Sequence, residues 1–235
     1  MLRQNQFIAG LFDIAPVLTA FVPIGLLWGA LAAGKGLSPA DAGLMSAIVF
    51  AGSSQFVAVD LWRDPAPWLF LGFTTLIVNI RHVLMGASLA RHMGNFPRGT
   101  KMASLFVMCD EAWAFAERRA LTKPLSLSYY LGLALPCWLT WFLSSLVGAG
   151  LGARMGDPAY FGVDFAFAAM FIAILAGFWK GPRTGVVLLA SGFVAALAKL
   201  YVAGAWYIVL GGLAGVITAA ILHVEEETAS IEDVP

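Results

Sequence analysis

Residues 68–89 read WLFLGFTTLIVNIRHVLMGASL. As a helix rising 1.5 Å per residue, this stretch is about 33 Å long, enough to cross the ~30 Å hydrocarbon layer of a bilayer. Arg81 and His82 interrupt it near the middle, with Asn79 just before them. A charge at that depth is costly against lipid tails, so such residues face protein, water or a substrate and mark a functional site. The stretch thus points both to a membrane helix bundle and to a first candidate site within it.

The rest of the chain agrees. Of its 235 residues, 60% are hydrophobic and 12% charged, and mean hydropathy is +0.83. A soluble domain of this size needs far less apolar surface. Positive and negative side chains balance at 14 each, so there is no polybasic footprint for nucleic acid. Cys109 and Cys137 both lie in apolar runs without ligand-like spacing and read as small buried hydrophobes. The sequence offers no HExxH, phosphate-binding Gly loop or cysteine cluster. We therefore expect no enzyme activity, cofactor or metal.

Eight apolar segments can be drawn: 14–34, 41–62, 68–89, 101–117, 128–151, 160–179, 184–204 and 206–223. The first is too long for a signal-peptide core and contains Pro16 and Pro23, so it reads as a retained span. Two segments are irregular: Ala51-Gly52-Ser53-Ser54-Gln55 interrupts one, and Asp110-Glu111 sits inside another, shorter one. If both dip in and return, and the N-terminus is cytoplasmic, the inside positives are Arg3, Arg91, Arg98, Lys101, Arg118, Arg119, Lys123, Lys180 and Arg183, against Lys35, Arg63 and Arg154 outside. That bias is weaker if all eight segments cross. The expected fold is all-α: one polytopic membrane domain over 1–235, of six to eight spans, with broken or re-entrant pieces near 50–56 and 102–117. Both termini are expected in the cytoplasm, the last ending in an acidic tail. Pro16/Pro23 and Pro136 fall in comparable places in the two halves, a faint hint of a transporter-type repeat.

Four groups could carry chemistry. Thr75, Asn79, His82 and Gly86 share one face of a straight helix, whereas Arg81 lies ~160° around from Asn79. Either the helix is irregular there or Arg81 serves a different neighbour. Arg81 could grip a carboxylate through two hydrogen bonds or act as an internal ion-pair strut. His82 could carry a proton near neutral pH. In the second group, a break at Gly52, Ser53, Ser54 and Gln55 would free N–H groups at a half-helix N-terminus to receive an anion; tight small-residue packing is the alternative. Asp110 and Glu111 are the third group. They should not both ionise in an apolar stretch unless paired or wet, so they are candidates to neutralise Arg81, to bind an ammonium group or to titrate. The alternative is an interfacial end, with Glu117-Arg118-Arg119 as its solvated continuation. Asp164 and Lys199, the fourth group, read as structural.

The ordered set Ile14-Ala15-Pro16, Phe21-Val22-Pro23-Ile24-Gly25, Phe50-Ala51-Gly52-Ser53-Ser54-Gln55-Phe56, Asn79-Ile80-Arg81-His82-Val83-Leu84-Met85-Gly86 and Asp110-Glu111 resembles the AzlC family of branched-chain amino-acid permeases. The resemblance covers roughly residues 10–222. It implies export of leucine, isoleucine, valine or their analogues across the bacterial inner membrane, with a small hydrophobic AzlD-type membrane subunit as partner. Family members often carry a threonine before the Asp-Glu pair, where this chain has Cys109.

A zwitterionic apolar amino acid needs an anion receptor, a cation receptor and a greasy pocket. Arg81 or the Gly52–Gln55 turn could supply the first, Asp110 or Glu111 the second, and Phe50, Phe56, Trp113 and Phe115 the third. His82, Asp110 and Glu111 are the candidates for proton coupling. A non-transporting scaffold subunit and a passive pore for small zwitterions are the competing readings.

Overall fold

The computed structural model describes residues 5–154, 172, 176, 179, 181–202 and 206–222. All regular structure among them is helical. Four helices are long and apolar enough to cross a membrane: α1 (Gln6–Gly34), α4 (Trp68–Ala90), α7 (Leu127–Gly152) and α8 (Pro182–Tyr201). Four short helices form two broken segments, α2 (Pro39–Ile48) with α3 (Gly52–Asp60), and α5 (Arg98–Phe106) with α6 (Asp110–Ala120). A last apolar helix, α9, spans Trp206–Ile221. The expected segment 160–179 lies outside the described residues apart from Ile172, Ala176 and Trp179, as do Asp164 and the acidic tail. The chain groups into two compact units that meet between Phe171 and Ile172.

The first unit is built on α1 and α7, which run parallel and touch along their whole length. Small residues allow it: in membranes they let helix backbones approach closely. Gly10, Gly25 and Gly29 of α1 face Gly132, Ser144, Ser145 and Gly148 of α7. A Cβ placed on Gly148 would lie 2.7 Å from the Cα of Leu26, a contact with backbone that no rotamer change could relieve. Helix α1 starts eight residues earlier than hydropathy suggests. Asn5 caps it by accepting from the Phe7 N–H at 3.1 Å, and the Tyr129 hydroxyl donates to Asp13 at 2.6 Å. With those polar groups satisfied, the helix continues through the mixed N-terminal residues.

Both broken segments return to the end from which they enter. Lys35, just after α1, donates through Nζ to the carbonyl of Asp60 at the close of α3, so α2–α3 begins and ends together. At the other end, Ser88 and His92, at the close of α4, meet Glu117 in the last part of α6. Arg119 there reaches Gln6 at the start of α1. The order is therefore a span followed by a hairpin, then a span of opposite direction followed by an opposed hairpin. This is an inverted arrangement of the kind transporters use, but it pairs α1 with α4. The proline correspondence had suggested α1 and α7 instead. Helix α2 is started by a capping box: Asp41 N–H donates to the Ser38 hydroxyl at 3.2 Å, while Ser38 donates to Asp41 from its hydroxyl at 2.6 Å and its N–H at 2.9 Å. The Ser38 hydroxyl, with its N–H, holds the exposed Asp41 carboxyl below the ordinary range.

In the second unit, α8 and α9 pack through Gly211 and Gly215 against Ser191 and Ala195, and the Ser191 hydroxyl donates to the Gly211 carbonyl at 2.8 Å. Lys199, read from sequence as structural, places its ammonium 5.5 Å from the ring centre of Tyr207. The α1–α7 seam of the first unit yields a prediction. Gly148→Leu should lower the stability of the folded protein by at least ~3 kcal/mol, seen as a lost thermal transition or loss of the monodisperse species in detergent. A conservative change on the outer face, Leu143→Ile, should leave both unaltered.

Candidate functional site

The α2–α3 break arises because Val49, Phe50 and Ala51 leave helical geometry and Gly52 restarts it. Gly52 leaves room there for the Trp141 ring, whose nearest carbon lies 3.0 Å from where a Cβ would stand. The break is stitched by buried polar groups. Gln55, with no exposed surface, donates from Nε2 to the Ser46 hydroxyl at 3.0 Å and accepts from Trp141 Nε1 at 2.7 Å. Trp138 Nε1 donates to the Ala47 carbonyl at 3.2 Å, satisfying one of the carbonyls freed at the end of α2. Gln55 thus faces the interior, with both ends of its amide engaged.

The second break spans Val107 to Cys109. Helix α6 then opens with Asp110 and Glu111 in its first turn, where acidic groups complement the positive end of the helix dipole. Cys109, at this break, is buried in the same core cluster as Cys137 of α7. On α7, Cys137 and Trp141 are one helical turn apart, so the two breaks meet against neighbouring turns of the same helix.

Helix α4 joins them. It is continuous through Asn79-Ile80-Arg81-His82, so no irregularity re-aims the side chains. The long Arg81 stem instead makes up the angular difference. Arg81 Nη2 donates to the Ser53 hydroxyl at 2.6 Å and pairs with Asp110 Oδ2 at 2.9 Å. Asn79 Nδ2 donates to the neighbouring Ser54 hydroxyl at 3.2 Å. Three helices, α3, α4 and α6, therefore deliver Ser53, Ser54, Asn79, Arg81 and Asp110 to one place. The Arg81 and Asp110 side chains are 41% and 43% exposed, so the pair lines an accessible surface. Around it, Asn79 Oδ1, Arg81 Nε and His82 Nδ1 are buried without a hydrogen-bond partner. A donor, an acceptor and a titratable ring nitrogen are thus uncommitted beside an ion pair, an arrangement suited to receiving a small polar group. Among the described residues, no group of three His, Cys, Asp or Glu side chains is placed to hold a metal ion.

The aromatic candidates do not converge on this pair as one surface. Phe50 and Phe56 are buried in the core, with Phe56 edge-on to Trp141 at 6.4 Å. Trp113 turns toward the end of the molecule and donates to the Ser88 hydroxyl at 3.3 Å. An apolar groove of about 470 Å³ opens between α5 and α7, bordered by Ala103, Phe106, Val107, Leu131 and Leu135, and none of the polar candidates lines it.

A second polar cluster went unread in the sequence. Glu117 accepts from the Ser88 hydroxyl and lies 3.3 Å from His92 Nε2. It is part-buried, unlike the solvated continuation that the interfacial alternative gave to Glu117-Arg118-Arg119, and Arg119 likewise sits 4.4 Å over the Tyr129 ring. A signal was present. Ser88 follows Arg81 by seven residues and Glu117 follows Asp110 by seven, a spacing that returns to the same helix face. Helices α4 and α6 run in the same direction, so the two clasps form in register.

Comparison with known proteins bears on this arrangement. The family model described as AzlC protein matches residues 16–155, which include both breaks and all of α4. An inner membrane protein YgaZ of Escherichia coli (strain K12) is 27% identical over 222 residues, covering 92% of this chain and 90% of that protein. The branched-chain amino acid transport protein AzlC of Bacillus subtilis (strain 168) is 26% identical over 228 residues, covering 92% and 85%. An uncharacterized membrane protein of Archaeoglobus fulgidus is 28% identical over 199 residues, covering 83% and 85%. No solved structure matches the chain.

The Arg81–Asp110 pair should behave as a coupled unit. Arg81→Gln and Asp110→Asn should each destabilise the protein, because each leaves the other charge without its partner within a membrane segment. The double variant should recover part of that loss. A double-mutant cycle on thermal unfolding should return a coupling energy of roughly 0.5–3 kcal/mol; additive losses would show that the contact carries no energy.

Proposed function

The chain belongs to the AzlC family, and from that premise we propose that it is a carrier that exports branched-chain amino acids, driven by the proton gradient. It is a membrane protein, with four helices able to cross and relatives that are membrane proteins. The substrate class is supported by the name of the Bacillus subtilis relative.

One observation carries the reading: Arg81 bridges the N-terminal turns of two broken helices, touching Ser53 of α3 and Asp110 of α6. These turns differ electrostatically. Helix α3 has no acidic group in its first turn and no side-chain cap, whereas α6 carries Asp110 and Glu111 there. A substrate carboxylate belongs at the α3 end, with Arg81, Ser53, Ser54 and the Gly52 backbone. The ammonium group belongs at the α6 end, beside Asp110 and Glu111. Asn79 spans between them. Burying a charge without a partner is costly, so a site with one receptor for each sign favours a zwitterion over either single ion.

Proton coupling is assigned to His82, Asp110 and Glu111, the titratable groups nearest the bridge. The Gln6 end is cytoplasmic in this proposal, because its loops hold Arg91, Arg98, Lys101, Arg118, Arg119 and Lys123, and the C-terminus shares that side. A small hydrophobic AzlD-type subunit completes the exporter. Exposed apolar residues along α4 (Leu69, Leu76, Ile80, Val83) suit either lipid or such a partner.

In proteoliposomes, uptake of labelled leucine should saturate and prefer the L form, as neither a pore nor a scaffold would. A protonophore should abolish uphill movement; accumulation that persists without a proton gradient would exclude proton coupling. Arg81→Lys keeps the charge but loses the planar fork. It should reduce transport at least ~10-fold, about 1.4 kcal/mol of lost interaction, with normal insertion. Wild-type rates in that variant would remove Arg81 as the carboxylate receptor.

A further inference from the structure

The guanidinium at the centre of this site has one edge half used. Nη2 donates to Ser53 and pairs with Asp110, whereas the neighbouring Nε is buried and has no partner. Nε and Nη2 together form the edge that a carboxylate takes with two parallel hydrogen bonds. A carboxylate seated there would satisfy Nε and compete for Nη2, whose two hydrogens are held by Ser53 and Asp110. Of those two partners Asp110 is itself a carboxylate, the kind of group that an incoming carboxylate would replace.

We infer that Asp110 is an internal competitor for the substrate carboxylate, and that this competition restricts the carrier to amino acids over simple carboxylic acids. The inference rests on the carrier reading above. When an acid displaces Asp110, a carboxylate is released next to Glu111 with no cation to meet it. Like charges placed side by side within a membrane segment are disfavoured. An amino acid brings its own cation: its carboxylate takes Arg81 while its ammonium takes the released Asp110, so charges stay matched. The nearby side chains offer no substitute. Ser53, Ser54 and Asn79 are uncharged, and the His82 ring, whose Nδ1 is buried without a partner, supplies a cation only when it is protonated. Asp110 is thus a specificity-determining residue that acts by occupying the receptor until a molecule carrying both charges replaces it.

The test is direct binding to the full chain in lipid nanodiscs by isothermal titration. The probes are L-leucine and 4-methylpentanoate, which is leucine without its amino group. Wild type should bind leucine, and the acid roughly tenfold or more weakly. Asp110→Asn should bind 4-methylpentanoate at least ~10-fold more tightly than wild type does, and leucine less tightly. Asp110→Ser keeps a hydroxyl in the first turn of α6 and serves the same comparison if the asparagine variant does not fold. If wild type binds both probes equally, or if the variants gain nothing for the acid while wild type binds leucine, the competition is overturned and the carrier reading stands. If wild type binds neither probe, the carrier reading itself fails, and the inference with it.

Discussion

An arginine placed two-thirds of the way along a membrane helix must find an anion, and the first unit is arranged so that it does. Asp110 can reach Arg81 only because its chain segment stops being a helix at Val107 and restarts at Asp110 itself. The same guanidinium can hold Ser53 only because the other segment breaks just before Gly52. A continuous helix at either place would carry these side chains past the level of Arg81. Broken backbone within a membrane is tolerated where protein or a wet cavity satisfies the freed polar groups. Here Trp138 takes the carbonyl of Ala47, while Gln55 ties Ser46 to Trp141. The ion pair and the breaks therefore depend on each other.

The glycine seam between α1 and α7 supplies the rigid side of this arrangement. With the two backbones in contact, α7 presents Cys137 and Trp141 at fixed heights, and each meets one break. Two opposed hairpins then bring two helix N-termini together, one bare and one already bearing two carboxylates. The proposed receptors for the two ends of an amino acid rest on that difference. Near the Gln6 end, α4 and α6 are clasped a second time, seven residues along each helix, by Ser88, His92 and Glu117. The two clasps thus tie α4 to α6 at two levels.

Much of this was legible. Hydropathy located the long helices, because burial of apolar surface in lipid is nearly independent of partners. The small polar run at 51–55 and the carboxylates at 110–111 marked both breaks, because unpaired polar groups do not persist in an apolar helix. The helical wheel, however, set Arg81 and Asn79 apart; it follows Cα directions and ignores a long flexible stem. Glu117 gave no sign of a partner, because Arg118 and Arg119 follow it and charge runs usually mark a surface. The roles of Gly29 and Gly148 could not be assigned either, since small residues are common in membrane helices and only the facing backbone shows which ones are needed.

By itself the sequence determined that the chain lives in a membrane, where its helices run, where two of them break, and which polar side chains are too costly to leave unpartnered. Those are properties of single segments in a low-dielectric solvent. Only the tertiary structure decided that Arg81 takes Asp110 and Ser53, that Asn79 takes Ser54, that Gln55 turns inward, and that the two hairpins enter from opposite ends. Choosing a partner depends on distance and angle between segments far apart in the chain, and those are set by how closely the helices pack.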